Sequence, residues 1–215
     1  MADIKFDTIV GGPIGTNCYL VYNDSTKEAV IIDPGVEFES IKAGVARLGL
    51  KPVAILLTHG HIDHTLYAAQ TADYYGIEIY IHEEDKELAM DGQMNCSAPM
   101  FGMSLGVDAK VTVKDQIELD MIGTKIKVLH TPGHTKGGCC YYIDEASYVF
   151  CGDTLFLDSV GRTDFPTGNP RILVDSLNNV LFKLPDDVKA FPGHGPATSI
   201  GYEKRNNPYA RGYLI

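Results

Sequence analysis

Five apolar residues, Val53-Ala54-Ile55-Leu56-Leu57, run directly into Thr58-His59-Gly60-His61-Ile62-Asp63-His64. The run reads as a buried strand, so a strand end delivers three histidines and an aspartate into one short stretch. His59 and His61 are two apart and project to the same side of extended backbone, as two ligands of one ion should. Asp63 and His64 follow at once and cannot easily reach the same ion in the same way. Two adjacent metals are the economical solution, and imidazole with carboxylate suits zinc, iron or manganese more than calcium. The plain alternative is a polar loop of hydrogen-bonded histidines.

Three later stretches supply further donors. Thr131-Pro132-Gly133-His134-Thr135 puts a histidine on a turn after a strand, Cys151-Gly152-Asp153-Thr154 puts a carboxylate at a strand end, and Phe191-Pro192-Gly193-His194-Gly195 puts a further histidine at another. Each alone is more often a cap or turn residue. Together they complete two coordination sets. His82 and His130 stay outside these stretches and are assigned structural roles.

A chain of 215 residues, 45% hydrophobic and without low-complexity runs, fits one compact domain. Its formal charge of -10 and pI near 5.0 argue against a nucleic-acid partner, because phosphate contacts demand a basic face. Small molecules are the expected substrates. The N-terminus carries no basic and apolar leader and no window approaches a membrane span, so the expectation is a cytoplasmic protein without membrane contact. Oligomeric state is left open. The five cysteines (Cys18, Cys96, Cys139, Cys140, Cys151) are odd in number and lack paired metal spacing, which fits reduced thiols.

Residues 4–10, 17–22 and 28–32 read as antiparallel strands separated by turn residues. A helix is expected over 36–48, with Ile41, Val45 and Leu48 on one stripe and Gly49 as its stop. Another is expected over 65–75, with Leu66, Ala69 and Ala72 on one stripe and Gly76 as its stop, then a strand over 77–81 and a short helix over 83–90. Residues 91–107 lack a period and read as a loop, either a substrate-side flap or an ordinary connection. Strands return at 111–113, 117–119, 125–129, 140–143 and 148–151, followed by a helix over 171–184 and a strand over 189–191. Strands in two batches, each followed by helices, imply two sheets packed face to face with helices outside.

His-x-His-x-Asp-His at 59–64, then Pro-Gly-His-Thr, Gly-Asp-Thr and Pro-Gly-His-Gly, together resemble the metallo-β-lactamase superfamily. Gly161-Arg162-Thr163-Asp164-Phe165-Pro166 and the tail through Gly201-Tyr202-Glu203 to Asn207-Pro208 are similar to its single-domain type II glyoxalase (hydroxyacylglutathione hydrolase) branch. The resemblance implies an α+β fold, an αββα sandwich of two mixed sheets, with a binuclear centre at one sheet edge. It implies that His59, His61 and His134 hold one divalent transition metal and Asp63, His64 and His194 a second, with Asp153 bridging. Zinc is the expected metal, with zinc and iron together or manganese as variants.

The implied activity is thioester hydrolysis of the lactoylglutathione type, in which Asp63 and Asp153 serve the catalytic centre. Paired metals roughly 3.5–4 Å apart hold a hydroxide nucleophile at neutral pH. Arg162 by its motif position faces a carboxylate of the thiol carrier, or else pairs with Asp164 or Asp158 to hold its loop. Longer glyoxalase II enzymes add a C-terminal glutathione-binding helical domain that this chain is expected to lack. The alternative is an iron-dependent persulfide dioxygenase, which shares most of these motifs but carries one iron and an Ala-His-Asp-like run where this chain has Gly193-His194-Gly195. Other hydrolases on the scaffold, such as lactonases and lactamases, and a non-enzymatic metal-binding protein complete the alternatives.

Overall fold

The computed structural model describes residues 2–209. In its first half, β1 (Ile4–Gly11), β2 (Thr16–Asn23) and β3 (Glu28–Ile32) form an antiparallel meander. There follow α1 (Phe38–Leu48), β4 (Lys51–Leu56), α2 (Ile62–Thr65), α3 (Ala68–Tyr75), β5 (Glu78–His82), α4 (Lys86–Met90), α5 (Ser97–Phe101) and β6 (Val111–Val113). β4, β5 and β6 add to β3 in parallel, giving a six-stranded mixed sheet in the order β1-β2-β3-β4-β5-β6.

The second half begins with β7 (Glu118–Met121), β8 (Thr124–His130), β9 (Cys139–Ile143) and β10 (Tyr148–Gly152). A hairpin of β11 (Leu155–Phe156) and β12 (Ser159–Val160), then α6 (Pro170–Asn179), β13 (Lys189–Pro192), β14 (Thr198–Ser199) and α7 (Ile200–Asn206), complete it. The second sheet runs β14-β13-β10-β9-β8-β7, with only the β10–β13 pair parallel.

Period-two alternation sorts the side chains into three layers. Tyr19, Val21, Val30, Ile32, Ala54 and Leu56 face Ile126, Val128, Tyr141, Phe150 and Phe191 between the sheets. The alternate residues Leu20, Ile31 and Ile55 turn outward under Ile41 and Val45 of α1 and Ala68 and Ala72 of α3. Leu129, Cys140, Val149 and Cys151 turn outward on the other sheet, under Leu177 of α6 and Ile200 of α7. Helices thus cover both outer faces, and the αββα order expected from the sequence is the order found. Each fully buried Leu or Ile contributes about 1.5–3 kcal/mol; truncating wholly buried Leu177 to alanine costs about 2–5 kcal/mol.

Several local expectations need correcting. The helix expected over 65–75 is two pieces, broken where the Tyr67 amide leaves the helix to donate to the Pro34 carbonyl at 3.0 Å. The second piece buries Ala68, Thr71 and Ala72, and Ala69 faces solvent. Residues 91–107, expected as a loop, contain α5, a single turn too short to produce a hydrophobic period. Asn95 and Ser97 order that segment instead: Asn95 Nδ2 donates to the Ala89 and Leu105 carbonyls at 3.1 and 2.7 Å, and Ser97 Oγ to Leu105 O at 3.0 Å. The helix expected over 171–184 starts at Pro170, with Asn169 accepting from Arg171 N and Ile172 N, and ends at Asn179 before a 3-10 turn. The β11–β12 hairpin, β14 and α7 had no expectation.

Register places the site. β10 and β13 run parallel with Gly152 beside Pro192, so Asp153 and Gly193 emerge side by side. β3 and β4 run parallel with Ile32 beside Leu56, so Asp33 emerges next to the Thr58 turn. An isolated bridge from Thr16 to His194 ties the two sheets together at that edge.

Candidate metal centre

His59 and His61 leave β4 in the turn before α2, Asp63 and His64 lie in α2, and the loop after β8 brings His134 to the same place. Asp153 follows β10 and His194 follows β13. One donor atom from each of His59, His61 and His134 lies within 4.8 Å of the others. The same holds for Asp63, His64 and His194, and for His59, His64 and Asp153. The structure therefore brings together all seven residues singled out as ligands; five of them are buried, and Asp153 and His194 are half-buried.

In the first group His61 Nδ1 stands 2.9 Å from His134 Nε2. His134 donates its Nδ1 proton to the Arg162 carbonyl at 2.7 Å, which turns Nε2 inward. In the second group His194 Nε2 lies 3.1 Å from Asp63 Oδ2, and His64 Nε2 lies 3.3 Å from the same oxygen. Asp153 stands between the groups, with Oδ1 3.4 Å from His64 Nε2 and Oδ2 3.7 Å from both His134 Nε2 and His194 Nε2. A Cβ on Gly193 would meet Asp153 Oδ1 at 2.3 Å and His64 Cε1 at 2.5 Å, so only glycine admits this approach.

Burial pushes the His59 imidazole well below its usual pKa and holds His61 at about 3, with the neighbouring rings adding to both effects. At neutral pH these rings are neutral and present lone pairs. Burial also works against the His64 imidazolium, but Asp63, Asp153 and Asp33 outweigh it and raise its pKa well above normal. Burial opposes ionisation of Asp63, and His64 and His194 overcome it. The ionised carboxylates Asp63 and Asp153 thus favour positive charge between them, which the His64 ring carries here and a cation could take over.

The donor set fits transition-metal ions. His59 Nε2 and His61 Nε2 are buried without a hydrogen-bond partner among the described residues, which is costly for polar atoms with nothing to bind. Imidazole nitrogens and carboxylate oxygens in groups of three leave room for a further ligand on each ion.

Arg162 stands apart from the seven. Its guanidinium makes two hydrogen bonds to Asp164, at 2.7 and 2.6 Å, and covers the Phe165 ring at 3.8 Å. Phe165 in turn sets its edge against His61, ring centres 5.6 Å apart.

The model of the metallo-beta-lactamase superfamily matches residues 11–194. The chain belongs to that superfamily. It is similar to the probable metallo-hydrolase YqgX of Bacillus subtilis, 34% identical over 99% of this chain and 100% of the relative. It is similar also to the hydroxyacylglutathione hydrolase GloC of Haemophilus influenzae, 37% identical over 90% of this chain and 92% of the relative. Among solved structures, the BLEG-1 B3 metallo-beta-lactamase superposes with a TM-score of 0.91 at 37% identity, covering 96% of this chain and 99% of that one. TTHA1623 in a di-iron-bound form gives 0.82 at 36% identity, over 94% and 99%. ETHE1 from Myxococcus xanthus gives 0.78 at 30% identity, over 97% and 85%.

Residues that the motifs did not flag hold this superfamily site in shape. Asp33 accepts from Thr58 N at 2.8 Å and Thr58 Oγ1 at 2.6 Å, and its Oδ2 lies 2.9 Å from His64 Nδ1. Thr58 Oγ1 stands 3.1 Å from His59 Nδ1, so one carboxylate steadies rings of both groups. Asp33 follows directly on the buried residues Ala29 to Ile32 of β3, the one signal the sequence offers, and takes a left-handed conformation (φ 50°) in the structure. His82 and His130 stack on each other, 4.1 Å between rings, outside the cluster.

Proposed function

We propose that this metal-dependent hydrolase cleaves thioesters of the glyoxalase II type, S-2-hydroxyacylglutathione being the substrate class. The observation that carries the reading is the pair of three-donor groups with Asp153 between them. Two divalent transition-metal ions, zinc or iron, would polarise the acyl carbonyl there and bring the pKa of water toward about 7. His59, His61 and His134 would hold one ion and Asp63, His64 and His194 the other, with Asp153 shared.

The chain's own groups supply orientation. Asp33 keeps the His64 ring turned inward, and the Arg162 carbonyl does the same for His134. Thr16 Oγ1 donates to Asp63 Oδ2 at 3.4 Å, fixing the carboxylate that His194 also meets. A thiol of pKa about 8.5 leaves as thiolate without a strong general acid, which suits a centre whose carboxylates are committed to its cationic neighbours. The guanidinium of Arg162, beside the site, is a candidate partner for a carboxylate of the thiol carrier. The likeness to GloC supports the same reading.

A second reading, an iron-dependent persulfide dioxygenase, draws on the Gly161 to Phe165 run. The complete second donor group weighs against it, since a single iron leaves Asp63, His64 and His194 without a task. One preparation separates the two. Metal analysis, S-lactoylglutathione hydrolysis and oxygen uptake with a glutathione persulfide are measured together; thioester turnover without oxygen uptake is the expected result, and oxygen uptake on one iron per chain would replace it.

A further inference from the structure

One buried carboxylate outside the cluster touches both loops of the first donor group. Asp85 ends the 3-10 turn after β5 and is wholly buried. Its neighbours Glu83 and Glu84 pair at the surface with Lys114 and Lys136, while Asp85 turns inward. There it accepts from Gly60 N at 2.9 Å and Thr135 Oγ1 at 2.7 Å on Oδ2, and from Gly137 N at 2.6 Å on Oδ1. Gly60 stands between His59 and His61, and Thr135 follows His134.

A buried carboxylate is tolerated only when donors replace its water. Three donors spread over both oxygens call for the ionised, acceptor-only form. The loops also come closer to this turn than a side chain would allow. A Cβ on Gly137 would lie 2.4 Å from Asp85 N, and one on Gly60 would lie 2.9 Å from Ala89 N in the helix that follows.

We infer that Asp85 is the positioning residue of the His59–His61–His134 group, fastening Gly60 and Thr135 to one carboxylate and so setting the separation of the His61 and His134 rings. The inference rests on the metal reading given above. The other group has different supports: Asp33 behind His64, Thr16 behind Asp63, and the Gly15 carbonyl 3.3 Å from His194 Nδ1. Loss of Asp85 should therefore weaken one ion and spare the other.

The test is a zinc titration of metal-free protein against a competing chelator, in two backgrounds. With His194→Ala the better-held ion is the one on His59, His61 and His134. Adding Asp85→Asn, whose amide sets an N–H against one of the three donors, should weaken that ion about tenfold or more, the usual range for a residue that orients ligands. With His134→Ala the better-held ion is the one on Asp63 and His64, and Asp85→Asn should change its affinity by no more than about twofold, the scatter of independent sites. Equal losses in both backgrounds would mean general softening of the fold and overturn the inference, as would no loss in the first. Thr135→Val removes one donor and keeps the carboxylate; it should show the same one-sided loss, and serves if Asp85→Asn does not fold. Unmodified protein that takes up no zinc would remove the metal reading itself, and the inference with it, before any variant is compared.

Discussion

Asp33 Oδ2 lies 2.9 Å from His64 Nδ1, and both side chains are sealed from solvent. The contact fixes the ring so that Nε2 faces Asp63, Asp153 and His194. Because the same carboxylate also takes both donors of Thr58, it cannot turn away to satisfy one partner without abandoning the other.

Asp33→Asn keeps the shape and replaces an acceptor by a donor. Zinc affinity of the second group should fall about 10–100-fold, and the metal-free protein should lose about 1–3 kcal/mol through the donor left unpaired. Chelator titration and urea unfolding measure the two effects. Unchanged zinc uptake would show that the ring holds its orientation without Asp33.

The native protein should carry two transition-metal ions per chain, because the donors form two groups of three and one tetrahedral ion cannot accept them all. Elemental analysis of protein purified without chelators checks this. One tightly held ion, with no second uptake on titration, would sink it.

Asp153→Ala should release at least one ion and remove nearly all turnover while leaving circular dichroism unchanged, since its oxygens reach donors of both groups. Two retained ions and normal kcat would take the bridging role from Asp153.

The sandwich was legible because each strand of the two central pairs alternates between a buried inner face and a helix-covered outer one. Cys139 and Cys140 illustrate it: adjacent in sequence, they belong to the inner core and the outer layer respectively. The seven clustered side chains were legible because they sit in short runs after apolar strands. Asp33 and Asp85 were not, since what distinguishes them is burial and the donors around them, which spacing does not encode. Glu83-Glu84-Asp85 reads as three surface acids, and only the packed structure separates the last from the others. The same holds for 91–107, whose order comes from Asn95 and Ser97 bonding to backbone rather than from apolar periodicity.

No thiol should be needed for turnover. Cys151, two residues before Asp153, is wholly buried in the outer layer and points its Sγ at the Val149 carbonyl, 3.6 Å away. Cys151→Ser should retain kcat and cost about 1–3 kcal/mol, the range for burying a hydroxyl in apolar surroundings. Abolished turnover with both metals in place would bring a thiol into the chemistry.

Arg162 acts on the site in two separable ways. Its carbonyl takes the His134 Nδ1 proton, whereas its guanidinium pairs with Asp164 and lies over Phe165. Arg162→Ala keeps the carbonyl, so the His134 ring retains its partner. The ion pair is solvent-exposed on both sides and screened by water, too weak to anchor the loop alone. If the guanidinium meets a carboxylate of the thiol carrier, the variant should raise KM for a glutathione thioester about tenfold, the loss of one charge-assisted contact. Hydrolysis of a small thioester without that carboxylate should stay nearly unchanged. Equal losses on the two substrates would assign the guanidinium to holding Phe165 against His61, and the carrier's carboxylate would need another partner.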